Sequence, residues 1–271
     1  MSAKSRTYQP QKVSAALVAQ SEAVRDVVHR LTESDLERPT RLGSWRVREL
    51  VTHVSLALSQ LLPVLDAPEV DGPTLPLAEY AALAGTMAEF VDTVTTEKAA
   101  SGFAGPAAEL AATFDQSLDA VRGVLDKLAD AEPDRRVTFL TGHPMLLTDY
   151  LVSRLVETVV HADDLADALG LDAFPHDPQA LAAVSRMLAD ALAGQVPGGA
   201  VELRVPPYAV VQAVPGPKHT RGTPPNVVET DPLTWIRLAT GRADWAAAVE
   251  AAEVSASGER SDLREYLPVL R

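Results

Sequence analysis

Apolar residues recur at helical spacing through roughly the first two thirds of the chain, and strand-like alternation follows. From Val13 to Leu31, the residues Ala16, Leu17, Val24, Val27, Val28 and Leu31 line one face of a predicted helix. A polar connector over 32–42, carrying Pro39, ends it. Gly43 and Ser44 supply a break and an N-cap, and Glu49 lies where a helix start favours negative charge, so a second helix is expected over 45–62. Further helices are predicted over 77–96, 107–131 and 146–169, with Gly170 as the stop of the last, and over 178–192. Pro133 interrupts the pattern, and Pro144 precedes the 146–169 helix. Beyond Pro197-Gly198-Gly199 the texture changes. Strands are predicted at 201–205, 208–214, 226–230 and 254–258, and helices at 232–240 and 263–270. The expected fold class is α+β: an antiparallel bundle over 12–171 followed by a small α+β domain over 172–271.

Composition narrows the function. The chain is 46% hydrophobic but only 5% aromatic, which suits closely packed helices. A formal charge of −13 argues against nucleic acid and anionic membranes as partners, because phosphate binding needs clustered Lys and Arg. There is no cysteine, so disulfides, thiolate metal sites and a protein-borne sulfur nucleophile are excluded, and any sulfur chemistry needs an external thiol. The first eleven residues are polar, and no apolar run approaches the roughly 20 residues needed to span a bilayer. A cytoplasmic location is the expectation.

Six histidines carry the candidate chemistry. His29 ends the first helix beside Arg30, where positive charge suits the helix dipole, and reads as structural. His143, His176 and His219 lie among Pro and Gly and read as surface loop residues. His161 differs. Tyr150, Arg154, Glu157, His161 and Asp164 follow one another at spacings of 4, 3, 4 and 3, on one narrow helical face. Glu157 and His161, one turn apart, can reach a single metal ion together. Arg154 and Asp164 flank them as outer partners, Asp164 being able to orient an imidazole N–H. Read alone, the segment equally describes a helix face with an ordinary i,i+3 pair, since two ligands from one helix do not close a site. His53 is the candidate third ligand, at the border of the apolar stripe formed by Leu50, Val54, Leu58 and Leu61. Two imidazoles and one carboxylate form a common catalytic zinc shell with an open position.

At these residues the sequence resembles a known family. Gly43-Ser-Trp-Arg-Val-Arg-Glu-Leu-Val-Thr-His53 is similar to the start of the second bundle helix in the DinB-like metal-dependent proteins of actinobacteria, and within them to the mycothiol-dependent maleylpyruvate isomerase family. The stretch from Arg154 through Glu157 and His161 to Asp164 resembles that family's second motif. The resemblance implies a four-helix bundle in which His53, Glu157 and His161 bind Zn2+ or another divalent metal, with mycothiol as cosubstrate. The stretch from Asp231 through Trp235, Arg237, Gly241 and Arg242 to Trp245, then Val254 to Arg260, resembles a sterol-carrier-protein-like module. Such a module holds an apolar ligand or closes one end of a neighbouring active site; the scarcity of aromatics favours the second role.

The resemblance implies an enzyme that uses mycothiol on a small electrophile. A coordinated thiol is deprotonated, supplying a thiolate that the chain itself lacks. Recognition of a dicarboxylate needs fixed positive charge, yet between Glu49 and Ala120 the only cation is Lys98. Arg46, Arg48, Arg154, Arg237 and Arg242 remain as anion contacts, with Arg237 and Arg242 as candidates for substrate or thiol binding. The alternatives are a mycothiol S-transferase, hydrolysis by a zinc-bound water, and a non-enzymatic lipid or sterol carrier.

Overall fold

A computed structural model describes residues 6–128, 135–139, 141–218, 222 and 224–270. They form two compact units, one made of residues 8–75 and 87–180, the other of 6–7, 76–86 and 181–270. His219 and the expected helical residues 129–131 lie outside the described residues.

The first unit is a helical bundle. Its four long helices are α1 (Pro10–Val28), α3 (Val47–Ser59), α7 (Ala107–Leu128) and α8 (Leu147–Leu169). α1 and α3 each pack against both α7 and α8. Short α2 (Glu33–Leu36) and α4 (Leu61–Asp66) flank α3, and α6 (Ala88–Ala99) packs on it. Leu17, Leu50, Leu58, Phe114 and Leu155 are fully buried, as the apolar periodicity requires. α8 is buried nearly all round, polar residues included, which makes it the central helix of the bundle. It ends where predicted, on Gly170 at φ +68°, a left-handed stop that a side chain would strain.

Three features depart from the sequence reading. α3 begins later than expected. Its N-cap is Arg46, whose N–H donates to Glu49 Oε2 at 2.9 Å, while Gly43 at φ +59° and Ser44 belong to the preceding turn. The cause is a turn in which Thr40 N–H and Oγ1 both donate to the Trp45 carbonyl, at 3.0 and 2.7 Å. The expected helix over 77–96 is broken into α5 (Leu77–Ala84), a 3-10 turn at Gly85–Met87, and α6. Ahead of α8 lies an unforeseen antiparallel hairpin, β1 (Arg136–Thr138) with β2 (Pro144–Leu146), in register Val137 to Met145. Strands of three residues are too short to show a period.

Asp149, in the first turn of α8, yields a stability test. Burial raises its carboxyl from 3.8 to about 6. A helix start favours a carboxylate by at most about 1 kcal/mol, so burial prevails. The unfolded chain releases this proton near pH 3.8 and the folded chain near 6, so stability falls as pH rises through that window. Asp149→Asn is expected to stabilise the fold by about 1–2 kcal/mol at neutral pH, at 1.4 kcal/mol per unit less a discount for residual solvent. Urea titrations should show that gain vanishing towards pH 4; a gain independent of pH would assign it another cause.

The second unit is built on a mixed sheet of β3 (Val201–Val205), β4 (Ala209–Ala213), β5 (Val227–Thr230) and β6 (Val254–Ser257), in the order β4-β3-β5-β6. β3 and β5 are parallel and the other neighbours antiparallel. α9 (Pro178–Gln195) precedes the sheet. α10 (Pro232–Ala239) is capped by Asp231, which accepts from Leu233 N and Thr234 N, and its buried Trp235 donates to Ser185 O at 3.2 Å. A helix missed in the sequence, α11 (Trp245–Glu250), is capped by Asp244. The helix expected over 263–270 reduces to one 3-10 turn, Arg264–Tyr266, because Pro268 holds Leu267 extended. Val269 and Leu270 instead donate backbone N–H groups to Ala239 O. No helix among the described residues is long and apolar enough to cross a membrane.

Candidate metal centre

The two adjacent helices α3 and α8 bring the predicted trio together. His53 and Glu157 meet with Nε2 3.1 Å from Oε2, and His161 Nε2 lies 3.4 Å from the same oxygen. One ligand atom from each residue falls within 4.8 Å of the others. The two imidazoles stand edge to face, centroids 4.7 Å apart. Ligands about 2.0–2.1 Å from a tetrahedral ion are separated by about 3.4 Å, so the spacing fits one shared cation. The donor set of two nitrogens and one oxygen suits zinc.

Each imidazole is oriented from behind. His161 Nδ1 lies 2.8 Å from Asp164 Oδ2, an outer partner that directs Nε2 inward. His53 Nδ1 faces Thr95 Oγ1 of α6 at 3.5 Å, and the Trp45 ring leans against its imidazole at 5.2 Å. Trp45 is itself held by Asp92, which accepts from its Nε1 at 2.7 Å. Asp164 in turn accepts from Arg41 Nε, and Asp163 from Arg41 Nη2, both at 2.6 Å.

Electrostatics divide the two histidines. Burial is the largest influence on each and opposes a proton. At His53 it prevails and lowers the pKa. At His161 bonds to Asp164 and Glu157 outweigh it, and the pKa rises. Glu157 is also pushed up by burial, but His161, His53 and the Arg154 charge together hold it well below the usual carboxylate range. Arg154 is 4% exposed, with its guanidinium over the Tyr150 ring at 5.1 Å and Nε donating to Ser153 Oγ at 3.2 Å.

Other predicted residues stand elsewhere. Arg48 donates to the carbonyls of Phe103 and Gly105 at 2.6 and 2.8 Å, and Arg46 pairs with Glu37 at the surface. Arg237 and Arg242 belong to the sheet unit, where Arg242 Nη1 donates to Thr240 O at 2.7 Å. His29 pairs with Asp115 at 2.9 Å, and exposed His143 bonds Thr141. His176 is not the surface loop residue expected: it is half-buried, 3.1 Å from Gln20 Nε2 and beside Phe174. The sequence reading missed Arg41, Trp45, Thr95 and Asp163. The Asp163-Asp164 doublet was the visible hint that a cation must lie nearby.

The fold is thus that of a four-helix bundle continued in one chain by a sterol-carrier-like sheet unit. The model of the mycothiol maleylpyruvate isomerase N-terminal domain matches residues 17–166, more than half of the chain, and that of the bacterial SCP ortholog matches 177–269. The chain belongs to the mycothiol maleylpyruvate isomerase family. A crystal structure of the mycothiol-dependent maleylpyruvate isomerase superposes with a TM-score of 0.62 at 16% identity, covering 94% of this chain and 95% of that one. A histidine-to-alanine mutant of that enzyme gives 0.61 at 15% identity over the same shares. At such identities the likeness is one of fold. No curated protein matches the chain.

Proposed function

We propose that this chain is a metal-assisted, mycothiol-dependent enzyme acting on a small electrophile in the manner of maleylpyruvate isomerase. The observation that carries the reading is the convergence of His53, Glu157 and His161 on one point, in a chain of a mycothiol-dependent family. A divalent cation held by these residues, zinc by preference, would lower the pKa of an incoming thiol so that mycothiol reacts as thiolate. The chain's part is to fix and desolvate the donors. Asp164 and Thr95 orient the two rings, Trp45 covers His53, and Arg154 supplies positive charge beside Glu157. In an isomerisation the mycothiol sulfur adds to a conjugated cis double bond, the new single bond rotates, and elimination returns the thiol and the trans isomer. Polar groups near the site would stabilise the enolate formed on addition.

S-transfer, in which the sulfur stays on the substrate carbon, uses the same centre. One observation favours it as a second reading: Arg46 and Arg48 are engaged away from the trio, leaving Arg154 as the buried cation beside it among the described residues of the bundle unit. A dicarboxylate calls for more than one fixed cation. The roles of Arg237 and Arg242 in holding substrate or thiol belong to the same proposal.

Cobalt-loaded protein tests the thiol step. Mycothiol is expected to add a sulfur-to-metal charge-transfer band and shift the visible spectrum. If the spectrum is unmoved by thiol while substrate still turns over, hydrolysis by bound water replaces the thiol mechanism. Product analysis with a conjugated cis electrophile then separates isomer from thioether adduct.

A further inference from the structure

We propose that Arg41, in the connector before α3, is a positioning residue of the metal centre, setting the orientation of His161 through Asp164. The proposal rests on the metal-binding reading above and extends it to a residue with no contact to the trio. Arg41 Nε donates to Asp164 Oδ1 at 2.6 Å, and the other carboxylate oxygen of Asp164 faces His161 Nδ1 at 2.8 Å. Arg41 Nη2 takes Asp163 Oδ2 at 2.6 Å, and Asp167 Oδ1 stands further off, 4.0 Å from Nη1. Asp164 is fully buried and Asp163 nearly so, at 0% and 3% exposure. Two adjacent carboxylates in that setting repel one another, and the guanidinium, itself only 23% exposed, neutralises part of the charge.

The two-nitrogen grip matters as much as the charge. A guanidinium presents Nε and Nη2 in a rigid plane, so binding two carboxylates at once fixes the rotamer of each. With Oδ1 of Asp164 held by Arg41, Oδ2 stays at Nδ1 of His161, 2.8 Å away. The imidazole then keeps a proton on Nδ1 and directs Nε2 towards Glu157, where, once the second proton is lost, its lone pair could take a cation. Arg41 is itself held in place. The turn around it is closed by Thr40 Oγ1, which accepts from Leu42 N–H at 3.1 Å, and by the Val47 N–H bond to the Arg38 carbonyl at 3.0 Å. A flexible connector could not orient a ring two residues away in the bonding chain; this one is pinned on both sides of Arg41.

A purely structural salt bridge makes a different prediction, so the test compares metal affinity with fold stability. Removal of the whole guanidinium risks unfolding, because it leaves two buried carboxylates without their cation. The variants are therefore Arg41→Lys, which keeps the charge but not the fork, Asp164→Asn, and, as a destabilising control, Ser117→Ala, which removes a buried hydroxyl bonded to Ser55 at 2.8 Å and lies outside the chain of bonds from Arg41 to His161. Zinc affinity is measured by chelator competition at about pH 8.5, where protons compete least, with the cobalt spectrum as a second readout and the melting temperature of the metal-free chains alongside. Arg41→Lys and Asp164→Asn are each expected to weaken zinc binding about 10–100-fold and to alter the cobalt ligand-field bands. Ser117→Ala should stay within about threefold while lowering the melting temperature. In the double variant the two losses should not add, since both act through one ring orientation.

Unchanged affinity in Arg41→Lys and Asp164→Asn would overturn the proposal, as would an equal loss in Ser117→Ala, which would mark general destabilisation. If Arg41→Lys does not fold, Arg41→Gln, which keeps an N–H donor, is compared with Ser117→Ala in its place. An unaltered chain that takes up no metal would instead sink the metal reading and this proposal with it, so the two failures are told apart.

Discussion

His53→Ala and His161→Ala are each expected to lose bound metal, with affinity falling by more than the roughly 100-fold that loss of an outer partner can cause. The trio supplies three of the four positions around a tetrahedral ion, and the other described histidines are engaged elsewhere: His29, His143 and His176 with Asp115, Thr141 and Gln20. Mycothiol-dependent turnover should fall with the metal, and the cobalt spectrum should disappear. His143→Ala and His176→Ala serve as controls and should keep full metal content. Because both rings are largely buried, each removal also costs packing, so melting temperatures of the metal-free variants are measured alongside and metal content is compared on folded protein. Equal metal content in all four proteins would end the assignment. Glu157→Gln separates charge from shape: it keeps the side chain's size but gives a neutral oxygen, so metal retention should fall here too.

Much of this centre was legible in the sequence because helices translate spacing into direction. The 4-3-4-3 series from Tyr150 to Asp164 has one geometric solution on a helix, and α8 adopts it. His53 was legible for a related reason: the stripe of Leu50, Val54 and Leu58, continued by Leu61 at the start of α4, marks the buried face of α3, and His53 borders it. What escaped is what comes from outside those two helices. Arg41 lies in a connector with no period, and Thr95 is a lone small polar residue in α6 whose relevance depends on the pairing of α6 with α3. The fold shows the same division. Long helices and Gly170 were readable, whereas the β1–β2 hairpin and the one-turn segment at Arg264–Tyr266 are shorter than the windows over which periodicity means anything. The break at Gly85–Met87 was hidden because Ala, Leu and Met on either side are all good helix formers. The break coincides with the boundary between units, residues 76–86 belonging to one compact unit and 87–180 to the other.

Metal binding is expected to release one proton wherever the pH lies below the raised pKa of His161, so that affinity climbs about tenfold per pH unit until His161 of the metal-free chain is itself neutral. The count follows from the three ligands taken singly. Glu157, despite burial, is held well below the usual carboxylate range by His161, His53 and Arg154, so it enters the complex already ionised. His53 is lowered by burial and is already neutral. At His161 bonds to Asp164 and Glu157 outweigh burial and favour the second proton, which must leave before Nε2 can bind an ion. The sign can be checked on the metal-free fold. A raised histidine contributes stability that is complete below its unfolded value of 6.5 and is lost as pH rises through the higher folded one. The metal-free chain therefore weakens over the window in which the loaded chain gains, and the rise in melting temperature on adding zinc should grow with pH. Calorimetric titration in two buffers of different ionisation enthalpy counts the proton directly. A count of two would mean that His53 is charged in the free protein, and a count of zero below pH 6.5 that His161 is already neutral there; either would refute the electrostatic division between the two rings.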